Sequence, residues 1–253
     1  MRPPDDVTGS EITWNDYDGY VRAEWAMLSR DPARFAAARS SVDGFSIARV
    51  LDIGCGAGQQ LRPFLNDGRV LGIGIDVSPE TGVAGRQLFA RDEPHARVAF
   101  VRSTAEHLPF ETASFDLVVC RLVLPYTDNK RALAEMARVL RPHGALLLKF
   151  HHARFYTMEL GQALSAGRIK SALHACRVLL AGVIYHLSDR QPRGRVAGGE
   201  TFQTMWLLRR ELSRHRLEVR RLLNDSVPAA PNLLITHANS SSAGGVAGAP
   251  RAS

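Results

Sequence analysis

The sequence predicts an α/β fold built on a mostly parallel sheet, and three observations carry that prediction. The first is Val50 to Gly58, Val-Leu-Asp-Ile-Gly-Cys-Gly-Ala-Gly, an apolar run that ends in three glycines on alternate positions. Val50, Leu51 and Ile53 suit a buried parallel strand. Gly54, Gly56 and Gly58 suit a tight turn, because without a Cβ the backbone takes positive φ and passes close to a ligand. The second is another short apolar run, Val70 to Ile75, that ends in Asp76. The third is that such runs recur at Val98 to Arg102, Phe115 to Cys120 and Ala145 to Phe150, with segments of helical spacing between them.

The glycine turn sets the chemistry. A helix is expected to follow it over Gln59 to Leu65, with Pro63 tolerated in the first turn, and a helix start there presents free N–H groups to a phosphate or a carboxylate. A dinucleotide fingerprint would need glycine where Gln59 stands, and the Gly-Lys-Ser/Thr of a phosphate-binding loop is missing. Asp76 lies some 20 residues beyond the turn, where one strand tip meets a ribose bound at its neighbour. A carboxylate receiving both ribose hydroxyls makes charge-assisted bonds of about 1.5–3 kcal/mol each.

With these residues in place the chain resembles the class I S-adenosylmethionine-dependent methyltransferases, and within them the ubiquinone and small-molecule group. The resemblance covers residues 47–150 well and the later strands loosely. Val50 to Gly58 is similar to the family's glycine loop and Gly72 to Glu80 to its ribose-binding strand. Ser103 to Phe110 resembles the adenine loop, and Ser114 to Cys120 with Leu140 to Phe150 the fourth and fifth strands. The resemblance implies a Rossmann-like three-layer sandwich, its seven-stranded, mostly parallel sheet closed by an antiparallel last strand, with a helical insertion. It implies S-adenosylmethionine as cofactor: Asp52, Gly54, Cys55, Gly56 and Gly58 at the methionine end, Asp76 on the ribose, Val77, Thr104, Ala105 and Glu106 around adenine, and Cys120 and Arg121 at the fourth strand tip. One departure is Thr104, where the family usually has an acidic residue that accepts from the adenine amino group. A hydroxyl accepts more weakly, so backbone groups at Ala105 and Glu106 share that task.

The remaining elements follow in chain order. Residues 1–45 form a helical cap, with Trp14, Tyr17, Tyr20 and Trp25 on one helical face; they are either core or, as the family implies, a lid on which Tyr17 or Tyr20 lines the sulfonium pocket. A short helix, Pro32 to Ser40, leads into the core domain at 46–150. Ser78-Pro79-Glu80 reads as a serine-capped helix start, running to about Arg91. Arg121 to Asn129 leaves the fourth strand on the carboxyl edge, where open α/β sheets bind ligands, and offers Arg121 and Tyr126. Asp128 to Leu140 is an amphipathic helix stopped by Arg141-Pro142-His143-Gly144. The fifth strand delivers His151 and His152 to the same edge, where an imidazole can act as general base or simply bond loop backbone.

Residues 151–200 are expected to be an acceptor-specific insertion, with helices at Phe155 to Ala166 and Lys170 to Leu187. The second is apolar nearly all round and is read first as a buried lid, with peripheral membrane contact through 170–187 as the alternative. Gln191 to Glu200 is a linker or substrate loop. A helix at Thr201 to Arg214 and strands at Leu217 to Leu222 and Asn232 to His237 complete the core over 201–237. Residues 238–253 are too poor in apolar bulk to fold alone and are expected to be disordered.

At 253 residues the chain is long enough for one α/β unit with an insertion. No signal peptide or spanning run stands out, so the cytoplasm is the expected compartment. Cys55, Cys120 and Cys176 are odd in number and far apart, which argues for reduced thiols and no metal. The net charge is +7, but its basic clusters lack interleaved aromatics, so no nucleic-acid partner is expected. The function read from the sequence is methyl transfer to a small organic acceptor, on oxygen in secondary, lipid or quinone-type metabolism. A nucleic-acid or protein methyltransferase and a non-catalytic cofactor-binding protein are the alternatives. The sequence sets no oligomeric state.

Overall fold

A computed structural model describes residues 19, 23, 25, 26, 31–65, 68–192 and 199–238. Tyr17, the other aromatics ahead of Trp25 and the tail beyond 238 lie outside the described residues. A seven-stranded sheet has the order β3-β2-β1-β4-β5-β7-β6. Its strands are β1 (Arg49–Ile53), β2 (Leu71–Asp76), β3 (Arg97–Arg102), β4 (Phe115–Arg121), β5 (Leu140–Lys149), β6 (Leu217–Leu222) and β7 (Asn232–His237). β1 to β5 pair in parallel, and β7 runs antiparallel between β5 and β6. The predicted architecture is therefore the observed one.

Alternation along the strands explains the layers. Leu51, Ile53, Val118 and Leu148 face one core with Leu133 and Met136 of α3 (Asn129–Val139) and Leu208 of α6 (Met205–Arg214). Val50, Leu117, Val119 and Leu147 face the other, with Trp25, Leu61, and Leu88 and Phe89 of α2 (Pro79–Asp92). Helix α1 (Pro32–Ser40) precedes β1. Leu117 and Val118 are fully buried and lie on opposite faces, which is why β4 reads as a continuous apolar run rather than an alternating one.

Three local expectations need correction. The helix after the glycine turn is not an α-helix: Gly58, Leu61, Phe64 and Leu65 each donate to the carbonyl three residues back, ending in a single 3-10 turn at Arg62–Phe64. Pro63 supplies no amide to an α ladder, so the tighter bonds prevail. Ser78 does stand at the N-cap of α2, but its hydroxyl donates to Glu80 Oε2 at 2.6 Å and caps no backbone amide. Arg141 to Gly144 is a bulge inside β5, not a loop before it: Phe115 pairs with Leu140 while Leu117 pairs with Ala145.

The insertion is a helical hairpin, α4 (Ala153–Ser165) and α5 (Ile169–Ser188). Its small core of Tyr156, Val178 and Phe202 is separate from the two sheet cores. Helix α5 buries Ala175, Val178, Ala181 and Tyr185, while Leu173, Leu180 and Leu187 remain exposed. It is thus half-covered, not the enclosed lid expected from its composition.

Candidate functional site

The site is built at the carboxyl edge of β1, β2, β4 and β5. Gly54, Gly56 and Gly58 all have positive φ, as a strand that must reverse within five residues requires. Two of the three glycines also serve packing. A Cβ on Gly54 would lie 2.2 Å from Val123 Cγ2, and one on Gly58 about 3.0 Å from the Phe100 ring. The turn is closed from the β4 side by Leu122, a non-glycine residue at φ 61°, whose amide donates to the Lys149 carbonyl at 2.7 Å. Such a conformation costs of order 1–3 kcal/mol and concentrates at functional sites.

Asp76, at the tip of β2, accepts from the Gly56 amide at 3.1 Å through Oδ2 and from the Ser78 amide at 3.0 Å through Oδ1. It borders a cleft with Cys55, Gly74, Ser78 and Arg102. Arg102 in turn donates from Nε to the carbonyl of Val77, whose side chain is exposed. Asp52 sits behind the turn, 1% exposed, with Oδ2 buried and without a hydrogen-bond partner. Burial pushes its carboxyl well above the usual range; Arg121 pulls it down and Asp76 pushes it further up. An unpaired buried carboxylate oxygen beside a glycine cradle fits the cationic amino group of a bound amino acid.

The loop at 103–110, expected to border adenine, is held by α3. Leu108 donates its amide to Glu135 Oε2 at 2.8 Å, and Arg138 donates to the Leu108 and Phe110 carbonyls while pairing with Glu135. Ala105 is buried and Thr104 exposed. Glu106 Oε1 accepts the Asp128 amide at 2.7 Å and so ties the loop to the start of α3. Cys55 and Cys120 are buried free thiols, the latter pushed up to about 12 by burial and the field of Asp52.

At the tips of β4 and β5, three segments converge. Thr201 donates its amide to the Pro125 carbonyl, Gln203 its amide to that of His151, and Gln191 Nε2 donates to the Thr127 carbonyl. The exit of the insertion is thereby fixed to the β4 and β5 tips. Tyr126 is 62% exposed on the turn Leu124–Tyr126. His151 stacks on Phe155 at 3.8 Å, and burial, with Lys149 next in order, lowers its pKa to about 4; its Nδ1 is buried and unpaired. His152 caps α4, accepting the Arg154 amide through Nδ1 at 3.2 Å. Arg121 turns away toward Asp225 at 3.2 Å, which also pairs with Lys149 and accepts from Asn232 at 2.6 Å. Asp225 and the buried Tyr156–Glu200 pair, 2.8 Å apart, were not singled out from the sequence. Their partners are distant in the chain, so no local pattern marks them.

Fold and edge geometry together define a class I methyltransferase. Residues 51–148 match the family model described as a methyltransferase domain. The chain is 38% identical over 109 residues to an uncharacterized methyltransferase, YcgJ, of Bacillus subtilis, covering 42% of this chain and 41% of that one. It is 32% identical over 151 residues to a phosphatidylethanolamine N-methyltransferase of Cereibacter sphaeroides, covering 59% of this chain and 70% of that one. Among solved structures, PKMT2 from Rickettsia typhi in complex with AdoHcy aligns with a TM-score of 0.57 at 14% identity, over 81% of this chain and 52% of that one. The chain spans about two fifths of the length of YcgJ and of other curated relatives that it matches. The chain belongs to the S-adenosylmethionine-dependent methyltransferase family, and S-adenosylmethionine is its cofactor.

Proposed function

We propose that the chain transfers the sulfonium methyl of S-adenosylmethionine to an oxygen of a small organic acceptor of lipid or quinone type. The observation that carries this reading is the pairing of two differently held carboxyl groups at one glycine turn, Asp76 bound by two amides and Asp52 buried with an unpaired oxygen. Asp76 would receive the ribose hydroxyls and Asp52 the methionine ammonium, while Thr104, Ala105 and Glu106 would border the adenine. When bound, the cofactor supplies an activated methyl on a cationic sulfur. The chain's own contribution is then chiefly alignment, which in favourable cases is worth roughly 7–11 kcal/mol. His151, neutral at physiological pH and with its buried Nδ1 unpaired, would be the residue to receive an acceptor proton; Tyr126 would orient the acceptor from the β4 side.

A second reading, transfer to an amine, is favoured by one observation: the Cereibacter sphaeroides relative bears the name of a phosphatidylethanolamine N-methyltransferase. Turnover of methyl-labelled S-adenosylmethionine with long-chain phenols and quinols in one set, and aminophospholipids in the other, decides between them. Label in the first set only is the expected result. Label in the second only moves the acceptor atom to nitrogen, and cofactor binding without label in either, across proteins and nucleic acids as well, removes the catalytic reading.

A further inference from the structure

Helix α5 has two apolar faces, and only one of them meets the protein. Ala175, Val178, Ala181 and Tyr185 pack inward. On the opposite side Ile169, Leu173, Leu180, Val183, Ile184 and Leu187 are 43–84% exposed. Their spacing of three, four and seven places them in one stripe along the whole length of a 20-residue helix, about 30 Å at 1.5 Å per residue. Soluble proteins rarely leave an apolar strip of that length to water.

Charge identifies what covers it. The helix contains no aspartate or glutamate. Lys170 and Arg177 fall on one flank of the stripe, at the boundary between the exposed and buried faces. Arg177 reaches back to His174 Nδ1 at 3.0 Å, and Lys170 is exposed. Arg190 is exposed two residues beyond the helix. Long cationic side chains beside an apolar stripe suit a surface that offers both acyl chains and negative headgroups. The helix is long and apolar enough to cross a bilayer by composition, but one whole face is packed on Tyr156 and Phe202. That face keeps it attached to the domain and flat.

We propose that α5 is a docking face for an anionic lipid surface, lying in the plane of the membrane with Leu173, Leu180 and Leu187 in the acyl boundary and Lys170 and Arg177 at the headgroups. The inference goes beyond methyl transfer and stands without it, since docking needs neither cofactor nor acceptor. It also gives the insertion a task other than closing over a substrate.

The test is flotation of the full chain with phosphatidylcholine vesicles, with and without phosphatidylglycerol. The expected result is binding to the phosphatidylglycerol vesicles that weakens with salt. Lys170→Gln and Arg177→Gln should each weaken it about fivefold, and Leu173→Glu with Leu180→Glu should abolish it. Because these leucines are exposed, S-adenosylmethionine affinity and thermal unfolding should stay at wild-type values, which separates lost docking from lost folding. No flotation on either vesicle, flotation unchanged by the leucine pair, or a dimer in solution that the same pair dissolves would each overturn the proposal, the last by making the stripe a contact between copies of this chain.

Discussion

Replacing Asp76 with alanine removes two things at once, and the structure separates their sizes. The carboxylate holds the Gly56 and Ser78 amides at 3.1 and 3.0 Å, and it borders the cleft at the tip of β2. Losing two charge-assisted ribose bonds takes away at least about 3 kcal/mol of cofactor binding, on the order of a hundredfold in Kd. Losing the two amide bonds costs a further ~1–2 kcal/mol of stability. In a domain of this size that lowers Tm by roughly 2–8 °C. Titration calorimetry with S-adenosylmethionine and a thermal scan measure the two effects independently. Asp76→Asn sharpens the comparison, because its amide oxygen still accepts one backbone N–H: Tm should fall less than for alanine, while affinity falls nearly as far. An alanine variant that folds and binds within about threefold of wild type, some 0.6 kcal/mol, would refute the assignment of Asp76 to the ribose.

Asp52→Asn should raise Tm of the ligand-free protein at pH 7 and weaken cofactor binding, because the charge that burial opposes is the one proposed to receive the ammonium. The carboxyl pKa is raised on folding, so wild-type stability is lost as pH rises through that value, and the advantage of asparagine should shrink as pH is lowered. His151 titrates the other way. Its folded pKa is depressed to about 4, so wild-type stability should fall as pH drops from the free-histidine value near 6.5 toward 4, and His151→Phe should flatten that limb in acid-unfolding scans. Gly182→Ala puts a Cβ 2.2 Å from the Phe202 ring; overpacking of that kind costs about 1–3 kcal/mol. Thermal unfolding should detect the loss, and unchanged S-adenosylmethionine affinity would show that it stays within the insertion.

The strands, and the glycine turn with Asp76 at the next strand tip, were legible because they are written locally. β2 was expected at Val70 to Ile75 ending in Asp76 and lies at Leu71–Asp76; β6 and β7 occupy their expected spans. The glycine turn and Asp76 are a sequence neighbourhood that folding brings only slightly closer. What local reading missed depends on distant partners. Pro63 looked tolerable in a first helical turn, yet the Arg62 side chain is drawn to Glu93 at 2.9 Å and over the Trp25 ring, and the segment settles as a 3-10 turn. Pro142 and Gly144 carry loop signals, but β4 alongside extends the ladder past them as a bulge. The composition of α5 gave its apolarity without saying which side the domain would cover, and Asp225 acquires its role only when β4 and β5 present Arg121 and Lys149 to it.

Lys149 and Asn232 are neighbours across the β5–β7 ladder although the whole helical hairpin and α6 lie between them in the chain. The entropy of closing such a connection grows only with the logarithm of its length, so stretching it from about 30 to about 80 residues adds only ~1 kcal/mol. The sheet can therefore accept a large segment here with little thermodynamic penalty, while the compact Val50 to Asp76 stretch of the candidate site is left untouched. A chain wired in this way can exchange a whole helical hairpin as a single graft without rewiring its sheet.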